Sequence, residues 1–343
     1  MKELIVVTGG TGYIGSHTAV ELLEAGYDVL IIDNLVNSKI EVLDGIERIT
    51  GRKPLFEKLD LCDRKGVMDC FARYPGIRAI IHFAAYKAVS ESVEKPLMYY
   101  ENNLLTLINL LNAMENHGVK NLVFSSSCTV YGQPDKLPVT EKSPFKTANS
   151  PYGNTKQISE EILTDAISAG KGIEAIALRY FNPIGAHPSA FIGELPHGIP
   201  NNLVPYLTQT AIGLREELRV FGNDYNTPDG SAIRDYINVV DLSRAHVISI
   251  DRLIAGKNEK GMEVFNLGTG KGLSVFEIIN AFVEATGVEF KYKVVDRRDG
   301  DIERVFADTT LANKVLGWKA EISLEETMRS AWKWEQSIRN QTG

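Results

Sequence analysis

The 343-residue sequence has few cysteines, no excess of basic residues and no long apolar run. Its three cysteines, Cys62, Cys70 and Cys128, are odd in number and lack the close spacing of metal ligands. This pattern argues against a disulfide framework and fits reduced thiols in a cytoplasmic protein. The six histidines form no H-x-x-x-H pattern and no cluster with the cysteines, so we expect no bound metal.

Charge and hydropathy exclude two further kinds of partner. Lys and Arg total 37 against 44 Asp and Glu, a formal net charge of -7, whereas a sequence-independent grip on nucleic acid needs a basic surface. No segment approaches the roughly 18 apolar residues of a membrane helix, and the amino terminus lacks the apolar core of an export signal. We therefore expect a cytoplasmic protein that binds neither nucleic acid nor membrane.

The first half of the chain predicts an α/β fold. With 44% hydrophobic and 24% charged residues the chain is globular, and its length suggests two domains of about 150 residues each. Short apolar segments without polar alternation are separated by helical patterns, which is typical of a parallel sheet covered on both faces. We therefore predict a Rossmann-type, doubly wound parallel sheet over residues 1–180, with strands at 4–8, 27–33, 54–60, 77–84, 119–127 and 173–181.

The second half has a different texture. After Phe181, connections rich in Pro, Gly and Asn alternate with helical patterns near 203–213, 274–286 and 323–340. We predict a smaller, mixed α/β substrate-binding domain over residues 181–343. The sequence leaves open whether the segment around 234–242 returns to the first domain.

A glycine-rich turn follows the first predicted strand. The stretch TGGTGYIG, residues 8–15, fits G-x-G-x-x-G from Gly10 and G-x-x-G-x-x-G from Gly9. Glycines let the backbone approach a pyrophosphate, while the start of the following helix offers unpaired N–H groups. Asp33 ends the second predicted strand 18 residues after Gly15, where an acid bonds ribose hydroxyls and repels a 2'-phosphate. The pattern favours NAD over NADP, although a turn that only packs strand on helix remains the alternative.

A second motif, SPYGNTK at residues 150–156, predicts a helix start with a phenol and an ammonium on one face. Ser150 suits the N-cap and Pro151 the first helical position. Tyr152 and Lys156 then lie one turn apart. An unperturbed phenol has a pKa of about 10, and we expect the ammonium, the helix start and a cationic nicotinamide to lower the pKa of Tyr152. Alone, such a pair is more often solvated surface.

Three serines give that pair a context. The stretch SSSCTVYG, residues 125–132, lies at the carboxyl end of the fifth predicted strand. Such ends face the ligand crevice in doubly wound folds. Ser127 is placed to share a hydrogen bond with Tyr152 and a substrate hydroxyl, whereas Ser125 and Ser126 can simply satisfy the strand end.

Together the glycine turn, Asp33, the serines and Y-x-x-x-K resemble the extended short-chain dehydrogenase/reductase superfamily. Further motifs narrow the resemblance to the UDP-glucose 4-epimerases, which are NAD-dependent epimerase/dehydratase proteins. These motifs, which cover nearly the whole chain, are TGGTGYIGSHT, DNLVNS, HFAAYKAVSESVEKPLMYYENN, FSSSCTVYG, SPYGNTK, LRYFNPIGAHPS, GIPNNLVPY, FGNDYNTPDGSAIRDYI and DRRDGDIERVFAD.

The resemblance implies an isomerase that interconverts UDP-galactose and UDP-glucose through a 4-keto sugar. Tyr152, as phenolate, would take the C4 hydroxyl proton while the C4 hydride passes to NAD. Lys156 would hold the ribose and lower the pKa of Tyr152, and Ser127 would assist the proton. The ketosugar would turn over and receive the hydride on its other face. The resemblance also implies a homodimer, with the helices beginning near Pro96 and Pro151 as the interface.

The resemblance further assigns binding residues. The residues implied for the cofactor are Gly9, Gly12, Tyr13, Ile14, Gly15, Asp33, Asn34, Leu35, Asn37, Ser38, Asp60, Leu61, Phe83, Ala84, Ala85, Lys87, Asn102, Tyr152, Lys156 and Phe181. Those implied for the UDP-sugar are Ser127, Tyr152, Asn182, Asn202, Leu203, Phe221, Arg234, Arg298, Asp301 and Val305. The two arginines suit a diphosphate because a guanidinium fork matches its oxygens. Val305 stands where some relatives carry a bulky aromatic, which predicts room for an N-acetyl group and hence turnover of UDP-N-acetylhexosamines.

Two alternatives share the fold. Sugar-nucleotide 4,6-dehydratases that resemble this chain have T-D-E-V-Y-G, whereas Cys128 and Thr129 occupy the positions of their acid and base. Neither side chain suits water elimination. A non-catalytic, NAD-sensing protein is the second alternative, and such proteins commonly lack the tyrosine and lysine that this chain keeps.

Overall fold

The computed structural model describes residues 3–170, 172–259, 261–298 and 302–340. Within these residues the strands are β1 Leu4–Thr8, β2 Asp28–Asp33, β3 Leu55–Lys58, β4 Ile77–His82, β5 Asn121–Ser127, β6 Glu174–Tyr180, β7 Asn182–Ile184, β8 Leu218–Phe221, β9 Ile233–Asn238, β10 Met262–Leu267, β11 Gly272–Ser274, β12 Tyr292–Val295 and β13 Arg304–Val305. The helices are α1 Tyr13–Glu24, α2 Val42–Thr50, α3 Arg64–Arg73, α4 Val89–Glu94, α5 Pro96–His117, α6 Pro151–Ser168, α7 Leu203–Ala211, α8 Val239–Ile254, α9 Val275–Thr286, α10 Thr310–Val315 and α11 Leu324–Asn340.

A seven-stranded sheet forms the centre of the larger unit. Its strand order is β10-β6-β5-β4-β1-β2-β3, and every neighbouring pair is parallel. Side chains from α1, α2 and α8 pack in one core cluster with alternate strand residues, and side chains from α3, α5 and α6 pack in the other. Helices therefore cover both faces, which explains the nearly continuous apolar strands. The predicted doubly wound α/β class is confirmed.

All six strands predicted in the first half are present, with bounds within three residues of the prediction. The seventh, β10, comes from the second half and pairs with β6 at the sheet edge. Only its last three residues are buried, so it lacks the apolar run that marks the central strands. The chain also returns through α8, which packs on α1. The boundary near residue 180 stays a prediction, although the two halves of the sequence are not spatially separate.

A smaller mixed sheet forms beside the carboxyl ends of the large one. Strand β9 pairs with β7, β11 and β13, and β8 pairs with β12 in a separate two-stranded ribbon. Helices α7, α9 and α11 supply the core of this unit. Because Phe181 alone separates β6 from β7, the small sheet begins where the large strands end. No helix among the described residues is long and apolar enough to cross a membrane.

Candidate active site

The glycine turn lies between β1 and α1. Gly9 has φ +68°, and its N–H donates to the Ile32 carbonyl at 2.8 Å. A Cβ on Gly9 would lie 2.9 Å from the Ala84 backbone nitrogen, and one on Gly15 would lie 2.3 Å from the Gly9 carbonyl oxygen. The turn is therefore too tight for side chains, and α1 begins at Tyr13 with no side-chain cap on its N–H groups. This is the geometry of a phosphate-binding helix start.

Asp33 connects that turn to the loop after β2. Its carboxylate accepts hydrogen bonds from the Thr11 backbone N–H at 3.2 Å, the Leu35 N–H at 2.9 Å and the Ser38 hydroxyl at 3.0 Å. Leu35 adopts φ +63°, a conformation that non-glycine residues seldom take. Asn37 is exposed. Asp33 thus holds the glycine turn and the loop after β2 together, and in dinucleotide-binding folds these two segments flank a ribose.

The remaining residues expected at the cofactor follow neighbouring strands. Asn34 donates to the Asp60 carboxylate at 3.2 Å, next to the buried Leu61. Phe83 bonds to the Thr8 carbonyl at 3.1 Å. The other positions are Ala84 and Ala85 directly after β4, Lys87 further along the same loop, Asn102 in α5, and Ile14 in α1 against the core. The glycine turn, Asp33 and the residues that follow the strands together fit a dinucleotide.

Tyr152 lies in the first turn of α6. The predicted helix start is present, because the Ser150 hydroxyl accepts from the Gly153 N–H at 3.2 Å and Pro151 is the first helical residue. Burial raises the pKa of Tyr152, the neighbouring Tyr180 raises it further, and a hydrogen bond with Ser127 lowers it. The structure therefore places the phenol and the Ser127 hydroxyl in contact.

The direction of this shift reflects the protein groups alone, whereas the expected lowering included the charge of a bound nicotinamide. The pKa of Tyr152 was expected to fall, yet among the groups of the protein itself the desolvation of the phenolate outweighs the Ser127 hydrogen bond. A buried anion loses its water, and this loss exceeds what one hydroxyl donor returns. A lower pKa for Tyr152 would need further positive charge next to the phenol.

Lys156 is buried one turn after Tyr152. Its ammonium donates to the Ser125 carbonyl at 2.6 Å and lies 4.8 Å from the Phe124 ring centroid. Burial lowers the pKa of Lys156 from 10.5 to about 8, and the charge of Glu160 opposes that shift. The lysine is thus a charge held beside the strand end and not a solvated surface group.

The residues expected at the nucleotide sugar come mostly from the smaller unit. Arg234 in β9 is the register partner of Val305 in β13, and its charge lowers the pKa of Cys128, which burial raises to about 12. The positive charge of Arg234 therefore influences Cys128, which follows the serine-rich end of β5. Val305 is 4% exposed in an apolar cluster with Phe181.

The other members of that set lie in or next to elements of the smaller unit, apart from one that lies outside the described residues. The Arg298 guanidinium stacks 3.9 Å from the Phe221 ring centroid at the end of β8. Asn182 begins β7, and Asn202 immediately precedes Leu203, the first residue of α7. Asp301 lies outside the residues that the structure describes.

Sequence reasoning missed four polar side chains in and behind this site. The Tyr180 hydroxyl bonds the Ser125 hydroxyl, and Glu160 forms a buried ion pair with Arg179. Glu194 accepts from the Asn202 amide at 2.7 Å and pairs with the Lys87 ammonium at 3.5 Å. Glu160 could have been found, because it continues the helical face of Lys156 by one turn. Glu194 gives no such signal.

The end of β5 carries no acid pair. Cys128 and Thr129 form a 3-10 turn there with Val130 and Tyr131, and the Thr129 hydroxyl is buried without a hydrogen-bond partner among the described residues. The turn offers neither a carboxylic acid nor a carboxylate for eliminating water. In the part of the chain that the structure covers, no three His, Cys, Asp or Glu side chains group as metal ligands.

Comparison with known proteins gives full-length matches. A family model described as GDP-mannose 4,6 dehydratase matches residues 6–331. A UDP-glucose 4-epimerase from Bacillus subtilis (strain 168) is 51% identical over 333 residues, 97% of each chain. The crystal structure of a UDP-glucose-4-epimerase from Stenotrophomonas maltophila with bound NAD and formylated UDP-arabinopyranose matches with a TM-score of 0.95 and 47% identity, covering 99% of both chains. That of a UDP-glucose 4-epimerase from Bifidobacterium longum with NAD+ and UDP matches with a TM-score of 0.94 and 45% identity, covering 98% of this chain and 99% of that one.

Proposed function

The chain belongs to the family of UDP-glucose 4-epimerases, and from that premise we propose that Tyr152, Lys156 and Ser127 interconvert UDP-galactose and UDP-glucose with NAD as cofactor. The protein is therefore an isomerase. The observation that carries the assignment of residues is the hydrogen bond between Tyr152 and the buried Ser127, beside the buried Lys156 ammonium. The proposed base, hydroxyl relay and cation lie at the carboxyl end of β5, and the glycine turn follows the carboxyl end of β1 in the same parallel sheet.

The side chains divide the proton chemistry between them. Bound NAD supplies the acceptor, and then the donor, of the C4 hydride. Tyr152, as phenolate, takes the proton of the C4 hydroxyl and returns it to the C4 oxygen when the hydride comes back to the other face of the turned 4-keto sugar. Ser127 bonds the phenol oxygen and orients the reacting hydroxyl. Lys156 holds a positive charge near the phenolate. This charge offsets the cost of burial and favours the ionised form of Tyr152.

The nucleotide sugar is held by the smaller unit. Arg234 and Arg298 supply guanidinium groups for the diphosphate. Phe221, stacked on Arg298, orients one of them. Asn182, Asn202 and Leu203 lie at the starts of β7 and α7, where backbone and amide groups can bond the uridine and sugar. Asp301 completes the proposed set.

The dehydratase alternative is disfavoured even though the matching family model carries a dehydratase description. Elimination of water from the sugar requires an acid and a base beyond the tyrosine. Cys128 and Thr129 stand at those positions, and burial raises the pKa of the Cys128 thiol to about 12. The site therefore supports oxidation and re-reduction at C4 without elimination.

One assay tests the proposed function. Purified protein is mixed with UDP-galactose without added cofactor, and UDP-glucose is measured. Folded, NAD-retaining protein that forms no UDP-glucose would contradict the function. A Tyr152→Phe variant should bind both ligands and lose most turnover, by roughly 100-fold or more for a lost general base. An unchanged rate in that variant would remove Tyr152 from the mechanism.

We also propose that the site accepts UDP-N-acetylhexosamines. Val305 is small, and it lies in the cluster with Phe181 and next in register to Arg234. An aromatic side chain at this position would fill the space that an N-acetyl group needs. Turnover of UDP-N-acetylglucosamine by the purified protein supports the proposal, whereas no turnover alongside brisk use of UDP-galactose rejects it.

We further propose a homodimer formed through α5. Leu97, Leu105 and Ile108 are 80%, 38% and 38% exposed, and at 100° per residue they fall within about 80° of one another on the helix. Val93 in the adjoining α4 is 60% exposed. Such an apolar stripe is typical of a surface covered by a partner, and a second copy of the chain fits the family.

The cytoplasm is the proposed compartment, since all three cysteines are unpaired.

A further inference from the structure

A buried ion pair lies directly behind the proposed catalytic lysine. Arg179 in β6 donates through two nitrogens to the Glu160 carboxylate, at 2.9 and 2.5 Å. Their side chains are 3% exposed for Glu160 and 6% for Arg179. Replacing a buried ion pair by apolar residues is often neutral or stabilising. Stability alone therefore does not explain why two charges occupy this place.

The pair is joined to the strand end that carries the catalytic groups. The Ser126 hydroxyl donates to Glu160 at 2.5 Å, and the Lys156 ammonium donates to the carbonyl of the preceding residue, Ser125, at 2.6 Å. Glu160 follows Lys156 by one helical turn, so both side chains reach the same strand from the same helix face. The Glu160 carboxylate is thus held by hydrogen bonds from Ser126 in β5 and from Arg179 in β6.

A second layer holds Arg179 in place. Its guanidinium donates to the Tyr131 hydroxyl at 3.0 Å, which in turn donates to the Asn266 side chain at 2.6 Å. The Asn266 backbone N–H donates to the Glu141 carboxylate at 2.8 Å. Each charged member of this chain of contacts has a hydrogen-bond partner, and Ser126 and Arg179 both hold the Glu160 carboxylate in its orientation.

We propose that Glu160 is a positioning residue that holds Lys156 in its charged form beside Tyr152, and that Arg179 moderates that effect by neutralising part of the carboxylate charge. The inference rests on the proposed function, because it assigns Glu160 a role only through Lys156. The carboxylate acts through the Coulomb field and through the Ser125–Ser127 strand end.

Apart from Tyr152 when it is a phenolate, the titratable groups near this strand end leave Glu160 as the main charged neighbour of Lys156 among the described residues. Burial and the charge of Lys156 together lower the pKa of His82 in β4 to about 3. Burial raises the pKa of Tyr180 in β6 and of Cys128 after β5 to about 12, and it also raises that of Tyr99 in α5. These groups are uncharged near neutral pH, and the charge of Glu160 raises the pKa of Lys156.

The test compares two single variants by their pH profiles. In Glu160→Gln the field that favours the ammonium is lost while Arg179 stays positive, so the alkaline limb of kcat/KM for UDP-galactose should move down by about one pH unit. In Arg179→Gln the carboxylate loses its neutralising partner, so the limb should move up. A merely structural pair would lower activity and thermal stability in both variants and leave the limb in place.

A double variant keeps the test sharp if either single variant folds poorly. Glu160→Leu/Arg179→Met leaves no lone buried charge and should fold, and its alkaline limb should still lie below that of the wild type because Glu160 is gone. Opposite movements in the single variants, or the lowered limb in the double variant, support the inference. A limb unchanged in all variants that turn over, or moved the same way in both single variants, overturns it. A wild-type protein without turnover would instead contradict the proposed function.

Discussion

The buried charge of Lys156 should lower the stability of the folded protein. Replacing Lys156 by an uncharged residue should therefore raise the free energy of unfolding. The buried ammonium has a pKa of about 8 where an exposed lysine has 10.5, which corresponds to about 3 kcal/mol spent on burying the charge at neutral pH. Lys156→Met removes that cost but leaves the Ser125 carbonyl without its donor, a loss of about 1 kcal/mol. We expect the variant to be about 2 kcal/mol more stable than the wild type at pH about 7, and inactive.

The two pKa values define the pH range over which Lys156 destabilises the folded protein. Below a pH of about 8 the lysine is protonated in the folded and unfolded chains, so the full cost is present. Between about 8 and 10.5 the unfolded chain binds more protons than the folded one, and wild-type stability gains with pH from this group. Above that window the lysine is neutral in both states. The advantage of Lys156→Met should therefore shrink as pH rises and end as a small deficit.

Urea unfolding, followed by the fluorescence of the three tryptophans, measures this directly. Proteins freed of NAD are compared near pH 7 and near pH 10, because bound cofactor would add its own stabilisation. Lys120→Met is the matched control, since Lys120 is exposed immediately before β5, and it should shift little at either pH. A Lys156→Met protein no more stable than the wild type near pH 7, or equally advantaged at both pH values, would refute the reasoning.

Three further predictions concern the cofactor, the substrate and the assembly. Gly15→Ala places a methyl 2.3 Å from the Gly9 carbonyl oxygen; the turn must shift to relieve this overlap, which should lower stability by about 1–3 kcal/mol and weaken NAD binding by roughly 5-fold or more in calorimetry. Gly51→Ala, at φ +67° with no atom near the new methyl, should lower stability and spare NAD affinity; equal affinity loss in both contradicts the cradle. Val305→Tyr should cut kcat/KM for UDP-N-acetylglucosamine by at least about 10-fold while UDP-galactose turnover stays within about threefold; parallel losses would exclude a role in selection. Leu97→Glu with Ile108→Glu should halve the mass measured by light scattering, whereas an unchanged mass argues against α5 as the interface.

The sequence predicted the architecture of the large sheet because its central strands are buried on both faces. β1 matched its predicted bounds because Leu4–Thr8 is apolar with a glycine turn behind it. β10 was missed as part of this sheet because an edge strand that is half exposed shows no such run. Its pairing with β6 depends on tertiary contact, which local pattern does not encode.

The site was predicted best where local geometry decides it. A cap, a proline and two residues one turn apart placed Tyr152 and Lys156 on α6, and glycine spacing placed the tight turn before α1. Glu194 and Arg179 were not predicted, because each meets its partner only when distant segments pack together. The raised pKa of Tyr152 among the protein groups alone was not foreseen, for a related reason. Burial is a property of the whole fold, and it outweighed the local charges that the sequence displays.

The repeated passage of the chain between its two sheets limits how the protein can move. The polypeptide crosses at Phe181, at Asn238 and between Leu267 and Gly272, so any swing of the small sheet would strain several connections at once. A lid on a single hinge is therefore a poor description of this molecule. Several crossings favour a half-turn of the ketosugar that takes place inside the site, by rotation about the torsions of the sugar–diphosphate link, over one that depends on a swinging lid.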